Sequence, residues 1–472
     1  MKRAAWLAGL VLVTIVALLW QRAPVGGREQ ISLLVAGGTV VTMDAAGTVI
    51  ADGAVATNGG TIVAVGTTAD LDARYAARER LDVRGQVIMP GLINTHTHAP
   101  MVLFRGLADD MALMDWLNQY IFPAEKATVS PEFVRIGTRL AALEMIESGT
   151  TTYADMYYFE EEIARATKAA GLRAVLGQTV IRFPVADAAT PEEALARSEK
   201  FLSEWANDDL IVPAVAPHAP YTLTPGTLQA ARALANRFNA PLLIHLAETR
   251  DEVGIIADQY KMSPAMFLDS LGVWNGRSLA AHGVWVTDAD MTMLAARGVG
   301  LSHNPESNMK LASGTAPVPA WLTHGIRAGL GTDGAASNND LDMFEAMRTA
   351  ALLHKHASGD PRALPAREAL ELATRRGAAA LGLEDLVGSL EVGKRADIIT
   401  VSMASARQTP LFDPLSHLVY VTKGTDVRNT VVQGRVLMRQ GRTVTLDKAA
   451  VIAEANAMAA RVRAAVSGQE SR

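Results

Sequence analysis

The chain has 472 residues, 49% hydrophobic and 20% charged, which describes an ordinary globular protein and excludes a disordered one. A net charge of -5 with no basic stripe argues against nucleic-acid binding through phosphate neutralisation. Cysteine is absent, so disulfides, thiolate nucleophiles and cysteine-held zinc are ruled out, and any metal must be held by His, Asp or Glu.

At the N-terminus, Lys2-Arg3 precede an uncharged apolar run from Ala4 to Trp20, followed by Gln21-Arg22 and the Gly/Pro-containing stretch Ala23 to Gly27. A positive start and an apolar run read as a secretion signal or an uncleaved membrane anchor. The run sits at the short end of a membrane span. No Ala-x-Ala site follows it, which favours the anchor. Residues 1–30 are assigned to this segment. Either form puts the remainder on the periplasmic or extracellular side, because the positive charges stay inside.

Residues 31–87 hold short apolar runs broken by turn residues: Leu33 to Ala36 before Gly37-Gly38, Thr39 to Met43 before Asp44, and Thr61 to Val65 between Gly60 and Gly66. These predict hairpin-connected antiparallel strands. Ala396 to Val401 and Val427 to Arg435 read the same way, so residues 393–472, with a C-terminal helix, are expected to complete one small β domain built from both chain ends. Residues 88–392 alternate strand-like and helix-like text. After Leu92 to His98 come Thr150–Asp155, Ala174–Gln178, Ile211–Ala216, Leu242–His245, Ser278–His282, Val299–His303 and Ala328–Asp333. Eight such strands predict an α/β fold with a parallel sheet, most economically closed as a (β/α)8 barrel. An open doubly wound sheet would want a Gly-x-Gly-x-x-Gly loop, and none follows any strand.

Strand ends carry the chemistry. In an extended strand, residues i and i+2 face the same side, so His96 and His98 project together as a metal-gripping pair. His218, His245, His282 and Asp333 sit at or just past the C-terminal ends of other strands, the barrel end where active sites are built. One such residue is unremarkable; five histidines and an aspartate at equivalent heights are hard to explain as core filler.

Six stretches resemble the amidohydrolase superfamily, and within it the 5-methylthioadenosine/S-adenosylhomocysteine deaminases: Asn94 to Met101, Ala216 to Tyr221, Ile244 to Thr249, Ala280 to Gly283, Leu301 to Pro305 and Leu330 to Asn339. The resemblance spans Ile31 to about Gln440. It implies a barrel flanked by a β-sandwich made from both chain ends. It also implies one divalent metal, best matched by zinc with iron or manganese as alternatives, on His96, His98, His245 and Asp333. Such a site brings the pKa of bound water to roughly 7. By the same resemblance Glu248 is the general acid toward the purine ring, His282 holds the attacking water, and Asp333 takes its proton. His218 contacts the purine and Glu125 reads the ribose hydroxyls, with Trp116 packing the sugar or the thioether. Arg182 or Arg173 is the candidate for an amino-acid carboxylate on the substrate, while His303 orders its loop.

The implied reaction is hydrolytic deamination of adenine nucleosides: 5'-methylthioadenosine, S-adenosylhomocysteine or adenosine. An alternative keeps the chemistry and changes the ring to an aminated or chlorinated s-triazine. A more remote one is a barrel that has lost its metal and serves as a scaffold, against which the full polar set speaks. Homo-oligomers are common in this subgroup and are expected here on that ground alone.

Overall fold

The computed structural model describes residues 27–470. The first five strands are β1 (Glu29–Val41), β2 (Val49–Asn58), β3 (Thr61–Thr67), β4 (Tyr75–Asp82) and β5 (Gln86–Pro90). Eight more follow: β6 (Leu92–Thr97), β7 (Thr150–Tyr157), β8 (Arg173–Val180), β9 (Ile211–Pro217), β10 (Leu242–Leu246), β11 (Ser278–His282), β12 (Gly300–His303) and β13 (Arg327–Leu330). The last four are β14 (Ile398–Ser402), β15 (Val427–Val432), β16 (Arg435–Arg439) and β17 (Arg442–Thr443).

Strands β6 to β13 form one parallel sheet in chain order. They are buried along almost their whole length, as a sheet covered by helices requires. The ring is drawn together between β6 and the end of β13. The Asn94 amide donates to Thr332 Oγ1 (2.7 Å) and accepts from Thr332 N (3.1 Å), and Asp333 N donates to His96 O (2.9 Å). Glycine is needed where this seam is tightest: a Cβ at Gly331 would lie 2.5 Å from Asn304 Oδ1 and 2.8 Å from the His96 nitrogen. The (β/α)8 barrel expected from the alternation is therefore present.

The remaining nine strands form a second sheet in which β14 pairs antiparallel with β5, joining the two chain ends. Alternate residues of β1 supply its two cores. Leu33, Val35 and Val40 pack with Val55, Ile88 and Ile398, while Leu34 and Ala36 pack with Leu71 and Tyr75 on the other face. The run Val87 to Met89 belongs to this sheet, and the barrel begins at Leu92, after a turn at Gly91 whose Cβ position is filled by the Thr151 side chain. Arg173 bridges the two sheets. Its guanidinium is buried against Asp397 (3.0 Å) and donates to Asp209 O (2.9 Å). It stands at the start of β8, so the structure removes it as a candidate for binding a substrate carboxylate.

The expected membrane location is corrected. The Ala4–Trp20 run that prompted it lies outside the described residues, and among the described residues no helix is long and apolar enough to cross a membrane. The anchor and the exported placement of the barrel are not retained.

Candidate active site

The strand ends bring His96, His98, His245, His282 and Asp333 into one cluster. Donor atoms of His96, His98 and His245 lie within 4.8 Å of one another, as do those of His96, His282 and Asp333. Asp333 Oδ1 is 3.4 Å from the Nε2 atoms of both His96 and His98, and the His98 and His245 Nε2 atoms are 3.4 Å apart. The rings of His98 and His245 are held from behind: Nδ1 of His98 donates to Met156 O (2.6 Å) and Nδ1 of His245 to His218 O (2.8 Å). That tautomer turns each Nε2 lone pair inward, the usual way a backbone carbonyl orients a ligand imidazole. His96 Nε2 is buried without a hydrogen-bond partner. Inward lone pairs, a carboxylate and an orphaned buried nitrogen bring electron-pair donors together at one place. These residues fit a divalent metal ion.

Electrostatics agree. Burial pushes the His96 pKa down to about 4 and outweighs the pull of Asp333, and burial also lowers those of His98 and His245. All three are then neutral and able to bind metal near pH 7. Burial alone would raise the Asp333 pKa, but His96, His98 and His282 hold it well below the usual carboxylate range. Ser307 Oγ (2.7 Å) and Ser337 Oγ (3.0 Å) donate to Asp333 Oδ2, and Gly334 N (2.7 Å) to Oδ1. Both His282 (φ 74°) and Asp333 (φ 63°) adopt left-handed backbone, strain of about 1–3 kcal/mol each that the surrounding hydrogen bonds hold in place.

Glu248 follows β10, with its Oε2 3.8 Å from His282 Nε2. Thr249 caps the helix Arg250–Tyr260, and Glu252 in its first turn accepts from Ala247 N (2.7 Å) and Glu248 N (3.0 Å), fixing the loop that presents Glu248. Burial raises the Glu248 pKa although His282 opposes it, so the carboxyl holds its proton to higher pH than an ordinary glutamate. Burial works against protonation of His282, but Glu248 and Asp333 overcome it and raise its pKa. Its Nδ1 donates to Asn308 Oδ1 (2.9 Å).

The cluster opens into a cavity that His218, Trp116 and Glu125 also line. Burial pushes the His218 pKa down to about 3, leaving a neutral ring beside that of His245. Trp116 is buried, and its Nε1 donates to Ala108 O (3.1 Å). Glu125 accepts from Tyr157 OH (2.7 Å), and burial pushes its pKa up to about 7 against that bond. Tyr157 also packs near His98, ring centres 6.3 Å apart, so a single tyrosine spans from Glu125 to the cluster. Arg182 is exposed and is not among the residues lining the cavity. His303 is buried with Nε2 3.2 Å from that of His354, and it too is outside the lining.

Sequence reasoning missed Tyr157 and Ser337, which line the cavity, Glu252, which holds the backbone of the Glu248 loop, and Ser307 and Asn308, which act through Asp333 and His282. Only Ser337 lay in a stretch singled out beforehand; Ser307 and Asn308 lie two and three residues past the end of another, and that nearness was the available signal.

The amidohydrolase family profile matches residues 87–437. The chain is 47% identical over 421 residues to a 5-methylthioadenosine/S-adenosylhomocysteine deaminase of Syntrophobacter fumaroxidans, covering 89% of this chain and 96% of that one. It is 46% identical to a 5'-deoxyadenosine deaminase of Methanosarcina acetivorans, covering 89% and 96%. Its fold superposes on an adenosine deaminase from Xanthomonas campestris with bound zinc, with TM-score 0.91, 42% identity and coverage of 93% and 100%. It also superposes on an atrazine chlorohydrolase from Arthrobacter aurescens complexed with zinc, with TM-score 0.84, 26% identity and coverage of 90% and 100%. The chain belongs to the amidohydrolase family, in the branch that contains the 5-methylthioadenosine/S-adenosylhomocysteine deaminases.

Proposed function

We propose that this protein is a metal-dependent hydrolase that deaminates adenine nucleosides to their inosine analogues, with His96, His98, His245 and Asp333 holding zinc. The observation that carries this reading is the continuity of one cavity from the histidine cluster and Glu248 at one end to Glu125 at the other. It offers a ring-attacking end and a sugar-reading end. A divalent metal, when bound, makes water available as hydroxide near neutral pH.

The chain's own residues then divide the proton work. Glu248, whose pKa burial raises, gives its proton to purine N1 as water oxygen attacks C6. His282 orients that water, and Asp333 accepts its proton and passes it to the 6-amino group. The C6–N bond breaks, ammonia leaves, and the hydroxyl proton returns to Glu248 as C6 becomes a carbonyl. His218 flanks the purine, Trp116 flanks the sugar, and Glu125 accepts from the two ribose hydroxyls, a geometry suited to a carboxylate.

The test is ammonia release by the zinc-loaded full chain on 5'-methylthioadenosine, S-adenosylhomocysteine, adenosine and an s-triazine. Chelated protein and Asp333→Asn serve as controls. Release from the nucleosides, lost in both controls, is the expected result. Activity on the triazine alone would move the substrate to the ring class of the atrazine chlorohydrolase, and silence on all four would sink the reading.

A further inference from the structure

Beyond Glu125 the site cavity continues into a groove, with Phe122, Glu125 and Tyr158 lining both. Phe122 and Pro123 form one wall. Phe183, Pro184, Val185 and Ala186, from the loop after β8, form the other. Phe122 and Phe183 meet edge to face with ring centres 5.2 Å apart. Among the described residues that line this groove, the charged ones are Glu125 and Lys126. Resting on the reading above, with the purine toward the cluster and the ribose on Glu125, the substituent on C5' enters this groove.

We propose that the groove is a 5'-substituent subsite that selects adenine nucleosides with a small uncharged group there over those with an amino-acid tail. A zwitterionic tail needs a cation for its carboxylate and an anion for its ammonium. Glu125 is engaged by the ribose, and Lys126 is exposed, where an ion pair contributes little. Arg182 points to solvent outside the groove lining, and Arg173 is committed to Asp397. A methylthio group needs no charged partner. Its methyl buries against apolar walls, and its sulfur finds the aromatic edges that thioethers favour.

The experiment measures kcat/KM of the zinc-loaded full chain for 5'-methylthioadenosine, 5'-deoxyadenosine, adenosine and S-adenosylhomocysteine, with Phe183→Ala and Ala186→Arg alongside. In the wild type, 5'-methylthioadenosine is expected to exceed S-adenosylhomocysteine by about tenfold or more, chiefly through KM. Phe183→Ala narrows that gap by weakening 5'-methylthioadenosine. Ala186→Arg, which adds a guanidinium at an exposed position of the wall, narrows it by improving S-adenosylhomocysteine. Equal wild-type efficiency on the two would overturn the selection, and an unchanged ratio in both variants would overturn the placement of the tail. Absence of deamination on all four nucleosides would instead defeat the deaminase reading on which this inference rests.

Discussion

His282 is expected to depend on Asn308 for its working tautomer. Two amides compete for its Nδ1: Asn308 Oδ1 accepts at 2.9 Å, and Asn304 Nδ2, a donor, stands at 3.3 Å. With Asn308 present, the neutral ring keeps its proton on Nδ1, so that Nε2, which faces Glu248 and Asp333 at 3.8 and 4.0 Å, is the nitrogen that gives up its proton as pH rises and can then accept from water. Asn308→Ala removes the acceptor and leaves Asn304 to donate. The imidazole is then expected to carry its proton on Nε2, where it can no longer accept from water. Removing such an outer hydrogen bond costs about 10–100-fold in activity, which corresponds to about 1.4–2.7 kcal/mol. The loss should fall on kcat with KM nearly unchanged, and the ring ¹⁵N shifts of His282 should exchange their protonated nitrogen. Asn308→Asp retains an acceptor but adds a charge that holds the imidazole protonated to higher pH. Its rate should therefore recover as pH rises, which Asn308→Ala cannot do. An Asn308→Ala enzyme within twofold of wild type, with unchanged ¹⁵N shifts, would refute this reasoning.

Glu125→Gln should trade function for stability. The folded carboxyl keeps its proton up to about pH 7 against an ordinary value of 4.5, so the unfolded chain ionises first and wild-type stability falls between those pH values. The glutamine form escapes this loss and should gain up to about 3 kcal/mol relative to wild type at pH 7 in urea unfolding of the nucleoside-free protein. Its KM for adenosine should rise while that for 2',3'-dideoxyadenosine stays unchanged. Arg173→Ala leaves Asp397 buried without its cation and should destabilise by about 3–5 kcal/mol. The expected readout is a lower thermal midpoint with unaltered kcat in the folded fraction, since the pair lies at the far end of β8 from the site.

How much of this was legible beforehand divides by the range of the signal. Strands β6 to β13 announce themselves as apolar runs, and strand periodicity with chain order is enough to set His96, His98, His218, His245, His282 and Asp333 at one barrel mouth. Strand β5 was harder to place, because Val87 to Met89 would be buried equally well in either sheet, and its pairing with β1 and β14 assigns it. The role of Arg173 was closed to sequence for the same reason, since its partner Asp397 is 224 positions away. Arg182 illustrates the opposite failure: its chain position suited a carboxylate reader, but the loop after β8 turns it to solvent. What the sequence by itself determined is the set of groups that do chemistry, because strand alternation and strand order are local properties. What only the tertiary structure decided is their protonation and orientation. Burial, the Ser307 bond to Asp333 and the amides around His282 come from elements that meet only when the barrel closes, and no local pattern encodes them.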